Sequence, residues 1–322
     1  MVLLCWLMVF MPAHKRFALD EKINPKISTC HFFRWQLWIF IFQISCMYFF
    51  AGIAKLNNDW LHAVPLKFWL PFKTGTPYIG HFLRNPIMPW LIAYGGIMFD
   101  FLVVPGLLYS KTRNVVFVIL IAFHLFNGLV FQIGSFPFLA VSLSVFFFPA
   151  SYFDKVLHSK NIKGMRPKIS DSKMSLKNLV IAVYVALQLF LPIRHLLIKG
   201  PVSWTEEGHR MAWQMMLRSK RGNMYYTVKN KNTDSVWQIE PQTFINKESL
   251  REVAVLPDVT WQAAQVLKNK YALQKLNVAV YAHSNVSLNY KPYKLLIDTT
   301  VDLASVNWDY FGHNKWILLN DN

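Results

Sequence analysis

The run FFRWQLWIFIFQISCMYFFAGIAKLNNDW, Phe32–Trp60, decides what kind of protein this is. From Trp35 to Ala54 it carries no charged residue, and it then meets Lys55. A helix needs roughly 20 mostly apolar residues to cross the hydrocarbon of a bilayer, so this stretch reads as a span over about 32–56. Comparable runs lie on either side, at about 1–11, 87–109, 114–133, 136–153 and 178–197. The expectation is therefore an all-α transmembrane helix bundle of about six spans over 1–197, followed by a soluble α+β domain over 198–322. The first run starts at Met1 without a basic leader, and it reads as the tail of a helix whose beginning is missing.

Charge supports that division. Only 16% of the 322 residues are charged and 54% are hydrophobic, whereas soluble domains usually carry about a quarter charged residues. The formal charge is +17, with much of the excess in the loops of the apolar half. Lys15, Arg16, Lys22 and Lys26 lie in one loop, Lys111 and Arg113 in the next, and Lys155, Lys160, Lys163, Arg166, Lys168, Lys173 and Lys177 in a third. Six spans put all three loops on one side, and basic loops mark the cytoplasmic face. The protein is then multi-pass, with its C-terminal domain extracytoplasmic. Membrane lipid, not nucleic acid, accounts for the basic excess. Cys5, Cys30 and Cys46 all fall in the apolar half, which gives no disulfide framework.

The segment 57–86 is too polar to span. Its mixture of aromatics and lysines (Trp60, Lys67, Phe68, Trp69, Phe72 and Lys73) predicts a short amphipathic helix in the membrane interface. Beyond Pro201 the periodicity changes. Asn223–Asn230 and Ser235–Ile239 read as two strands around a polar turn, and Leu256–Leu273 reads as a helix entered through Pro257-Asp258. Leu276–Asn289 alternates like a strand, and Leu295–Ile297 is a candidate for another. There is no Walker loop, GxGxxG, HExxH or CxxC, and no His spacing that suggests a bound metal.

Ionisable groups in apolar spans are expensive and point to function. Lys55 ends the second span. It reads either as a lysine snorkelling to the headgroups or as one enclosed in an apolar pocket, which disfavours the charged form of an amine. A neutral amine is a competent base. Gly52, one turn earlier, lets a ligand or another helix approach closely. His124 and Asn127 are three apart on one helix face. They read either as a helix-to-helix bridge or as the wall of a polar cavity. Asp100 reads as a structural partner for an intramembrane cation.

Four runs together resemble one family. AGIAKLNNDW (Ala51–Trp60), FHLFNGLVFQIGSFPF (Phe123–Phe138), WTEEGHRMAWQMMLRSK (Trp204–Lys220) and DLASVNWDYFGHNKWILL (Asp302–Leu319) are similar, in collinear order, to stretches of the vitamin K-dependent gamma-glutamyl carboxylases and their HTTM membrane domain. The resemblance puts Lys55 on the family's catalytic lysine, which is thought to deprotonate vitamin K hydroquinone. Oxygen then converts the quinol into a strong base that removes a γ-proton from a protein glutamate. The carbanion takes up carbon dioxide, and the quinone leaves as its epoxide.

By the same resemblance His124, Asn127, Gly52 and Tyr48 belong to the quinol pocket. Trp213, Arg218 and His209 belong to the glutamate-binding region, where Arg218 would receive a substrate carboxylate through both arms of its guanidinium. The co-substrates would be vitamin K hydroquinone or a related menaquinol, O2 and CO2, with no metal, and the partner a glutamate-containing protein or peptide. The chain departs from the animal enzymes at Arg218, where they have His, and at Ala54, where they have a second Lys. By the same resemblance it is expected to lack their first helices, with a His motif, and their long C-terminal extension. Quinol epoxidation without carboxylation, or a non-catalytic membrane protein binding lipid or a partner, are the competing readings.

Overall fold

The computed structural model describes residues 2–11, 18–27, 33–149, 152 and 176–320. Most of the basic loop 154–177 and part of the basic loop 12–31 lie outside the described residues, as does Cys30. The helices in chain order are α1 (Val2–Val9), α2 (Leu19–Ile23), α3 (Arg34–Ala54), α4 (Asn58–Leu61), α5 (Val64–Trp69), α6 (Gly80–Leu83), α7 (Met88–Leu108), α8 (Arg113–Phe131), α9 (Phe136–Ser144) and α10 (Leu176–Phe190). After them come α11 (Val202–Thr205), β1 (Lys220–Asn230), β2 (Val236–Ile239), α12 (Leu250–Val255), α13 (Pro257–Leu273), β3 (Val278–Leu288) and β4 (Lys294–Leu295). The chain folds as two compact units. One comprises Met1–Ile53 and Leu70–Gln188, the other Ala54–Trp69 and Leu189–Asn322.

Among the described residues of the first unit, three helices are long and apolar enough to cross a membrane: α3, α7 and α8, of 21, 21 and 19 residues. Three of the six expected spans are therefore shorter. α1 has eight residues, the apolar stretch from α9 ends at Phe147, and α10 has 15 residues. Proline explains two of these ends. Phe148 is extended ahead of Pro149, and α10 stops two residues before Pro192, because the residue before a proline is pushed out of the helical region.

α3 is the central helix of this unit. Its apolar window is 61% buried, against 33% for α7 and 17% for α8, so the latter two leave most of their surface exposed. Small residues set the crossings. A Cβ on Gly106 of α7 would lie 2.7 Å from Cγ2 of Val116 on α8, and one on Gly52 of α3 would lie 3.0 Å from the Phe101 ring. The space over Gly52 thus belongs to a neighbouring side chain.

The second unit is built on a four-stranded antiparallel sheet in the order β2-β1-β3-β4. β1 and β3 pair over their full length, from Lys220 opposite Leu288 to Asn230 opposite Val278. Met224, Tyr226 and Val228 alternate inward along β1, the period-2 pattern of a sheet covered on one face. α12 and α13 cover it with Val253, Ala263, Ala264 and Leu267. The Tyr226 hydroxyl satisfies itself on the carbonyl of Thr260, at 2.9 Å, and Trp204 donates its indole N–H to the carbonyl of Leu318, at 2.7 Å. Each such side chain contributes roughly 1.5–3 kcal/mol through burial.

Residues 54–69 belong to this unit as well. The single amphipathic helix expected within 57–86 is replaced by α4, α5, a 3-10 turn at Leu70–Lys73 and α6. Ala63 breaks the run with a positive φ of 52°, and Pro71 and Pro77 lie in the sequence that follows.

Candidate active site

In the first unit α3 and α8 are joined by a polar contact. The Tyr48 hydroxyl lies 2.8 Å from Nε2 of His124, and both residues are buried, as is Asp100 on α7. Rings of Phe99, Phe123 and Phe136 surround the imidazole, while its Nδ1 has no hydrogen-bond partner. Asn127, one turn along α8, is half-buried. This is the bridge that the His124 spacing allowed, with one buried polar atom left over. Such atoms are uncommon and usually mark a ligand or an ordered water.

In the second unit Lys55 follows directly on α3 and is half-buried. Its Nζ stands 5.7 Å from the centre of the Trp60 ring, and Trp60 is itself buried. Asn57 tightens this loop from both ends. Its Nδ2 donates to the carbonyl of Ala54, at 2.8 Å, and its Oδ1 caps α4 by accepting from the Trp60 amide, at 3.0 Å. Asparagine at an N-cap satisfies an amide that the helix cannot.

The stretch after α11 holds the greatest concentration of backbone strain. Glu206, Met211, Trp213 and Met216 all have positive φ, between 52° and 67°, and Gly208 has 70°. Each non-glycine residue in that region costs about 1–3 kcal/mol, and such clusters persist where function keeps them.

The strain serves to fold this stretch around Glu206. The Glu206 carboxylate is buried and receives Arg218 at both oxygens, Nε to Oε1 at 2.8 Å and Nη2 to Oε2. Lys220 reaches Oε1 at 3.2 Å, and its ammonium also donates to the carbonyls of Trp204, at 2.6 Å, and Val255, at 2.9 Å. Burial lowers the Lys220 pKa to about 8, against the opposing pull of Glu206. His209 donates through Nδ1 to the carbonyl of Glu206.

Arg218 was expected to offer its fork to a substrate carboxylate. Its Nε and Nη2 are instead engaged by Glu206, because a carboxylate this deeply buried requires a charge partner. Trp213 is half-buried, with a partnerless indole nitrogen. Beside this cluster a cleft of about 150 Å³ is lined by His209, Arg210, Asp258, Trp261, Trp308 and Tyr310, among others.

Glu206 and Lys220 were missing from the sequence reading. They stand 12 and two positions from Arg218, separations that no local periodicity links. The signal that was present is the Glu206-Glu207 pair between Trp204 and Trp213. The second acid is buried too, and it takes the Asn314 amide at 2.7 Å and His313 Nδ1 at 2.7 Å.

Comparison with known families finds two matches. Residues 1–152 match the HTTM domain, and residues 173–322 match the lumenal domain of vitamin K-dependent gamma-carboxylase. No solved structure matches the chain. The lysine loop, the strained segment around Glu206 and the sheet that carries them thus lie within matches to two successive domains of one family: the chain belongs to the vitamin K-dependent gamma-carboxylase family.

Proposed function

We propose that the protein is a quinol-dependent carboxylase that adds carbon dioxide to protein glutamate, with Lys55 as its base. One observation carries this reading most directly. The Lys55 loop and the strained Glu206–Lys220 segment, far apart in sequence, fold into one compact unit.

Lys55 accepts a proton from a hydroxyl of the quinol. The quinol, when bound, supplies the reducing equivalents for dioxygen and the strong base for the glutamate γ-carbon. Over the reaction, quinol and O2 give epoxide and water, while glutamate and CO2 give γ-carboxyglutamate and a proton. The aromatic rings around His124 suit a flat apolar ring, and the unpartnered Nδ1 suits a quinol oxygen. Tyr48, bonded to the other imidazole nitrogen, holds the ring orientation. Arg218, held in place by Glu206, is the cation assigned to the substrate glutamate. Trp213 and His209 contribute the walls.

The test uses membranes containing the full chain, with a glutamate peptide and labelled CO2. Wild type forms epoxide and labelled peptide, and Lys55→Ala loses both by at least about a hundredfold, as expected for removal of a general base. Equal rates for the two proteins end this reading. Quinol epoxidation without carboxylation is the second reading, favoured by the engagement of Arg218 with Glu206. It is recognised by epoxide without labelled peptide.

A further inference from the structure

The turn after β3 does more than reverse the chain. Asn289 and Tyr290 both have left-handed backbones, with φ of 50° and 63°, and the Lys291 amide closes the turn on the carbonyl of Leu288 at 3.0 Å. Two left-handed central residues are the pattern of a type I′ turn, which strongly favours glycine at its second position. Tyrosine there is strained. Its ring stacks on Phe68 of α5 at 4.2 Å and meets the guanidinium of Arg221 at 4.7 Å. A turn that only had to reverse the chain would be better served by glycine.

Asn289 is almost fully buried and faces two elements at once. Its Oδ1 accepts from the Ser219 amide at 2.8 Å. Its Nδ2 donates to Oδ2 of Asp59 at 2.6 Å, and Lys291 adds a longer contact to Asp59 at 3.8 Å. A backbone amide can only donate, so the orientation of this side-chain amide is fixed.

Ser219 lies between Arg218 and Lys220. Asp59 lies on α4, whose cap Asn57 is bonded back to Ala54, next to Lys55. One side chain therefore joins the segment assigned to the glutamate with the loop assigned to the base.

We propose that Asn289 is a positioning residue that fixes the Lys55 loop relative to the Arg218 segment, and so keeps quinol epoxidation coupled to carboxylation. The proposal rests on the carboxylase reading. Neither Asn289 nor Asp59 touches the reacting atoms in this role. They set the offset between two groups, and small misplacements of that kind cost on the order of a hundredfold in rate.

The readout is epoxide formed per glutamate carboxylated, measured on the full chain in membranes. Asn289→Asp sets two carboxylates against each other. It should cut carboxylation by roughly tenfold to a hundredfold while epoxidation falls less, so the ratio rises. Asp59→Asn keeps a neutral amide contact and should raise the ratio less. The double variant exchanges donor and acceptor and still accepts from Ser219, so it should return the ratio close to that of wild type.

If Asn289→Asp does not fold, Asp59→Asn and the double variant still decide the matter. A ratio unchanged in Asp59→Asn, with both activities falling in parallel, overturns the proposal and leaves the carboxylase reading intact. So does a double variant with no recovery of coupling. A wild type that makes no epoxide overturns both.

Discussion

Lys220 sits in an unusual position for its type, since lysine is rarely buried this completely. All three of its donors are used, on two carbonyls and Glu206, and burial still lowers its pKa from 10.5 to about 8. The sign of the effect on stability follows from proton counting. Below pH 8 the amine is charged in both the folded and the unfolded chain, and the desolvation cost is at its greatest. Between about 8 and 10.5 the folded chain has released the proton and the unfolded chain keeps it, so stability rises with pH. Against Lys220→Met, which cannot titrate, wild type should gain in unfolding temperature across that window and show no trend just below it. Thermal unfolding of the full chain in detergent measures this, and a flat difference up to pH 10.5 would contradict the assignment.

Residues of this kind account for what the sequence withheld. Lys55 and His124 stood out in the sequence because an ionisable group in an apolar run is conspicuous. The Glu206–Arg218–Lys220 cluster and the Asn289–Asp59 contact were not legible. Arg218 was singled out only through the family resemblance, and the others look like ordinary surface residues until tertiary folding brings them together.

Helices and strands were read more easily, and their errors have identifiable causes. The β1–β2 hairpin, α13 and β3 follow alternation and capping signals that act locally. Span lengths were overestimated where apolar residues continue past a proline, as at Pro149 and Pro192. Composition cannot see a backbone that stops being helical. α12 was missed because six residues carry too little periodicity. At this scale the α7–α8 crossing offers a direct test. Val116 is β-branched and stiff at χ1, so it has little room to yield to a new Cβ at 2.7 Å. Gly106→Ala should destabilise the membrane unit by about 1–3 kcal/mol through overpacking, and Gly106→Ala with Val116→Ala should recover most of that. Thermal unfolding in detergent would record the loss and the recovery.

For the molecule as a whole, the matched lumenal domain and the basic loops both favour a C-terminal unit on the extracytoplasmic side. Asn232, exposed in the β1–β2 turn, is a suitable reporter. In right-side-out vesicles Asn232→Cys should react with a membrane-impermeant maleimide, and labelling that required lysis would reverse the topology. Cys46 is buried and Cys5 exposed among the described cysteines, so Cys5→Ser together with Cys30→Ser removes the competing signals.

The second unit draws on two separate lengths of chain. Residues 54–69 emerge from a membrane helix, yet they contribute Phe68 to the Tyr290 stack and Asp59 to Asn289. A cut made where the two sequence matches meet would therefore amputate part of the water-facing fold. The severed C-terminal half would carry a raw aromatic face and an orphaned amide, and a short peptide copied from the missing loop would be their natural plug.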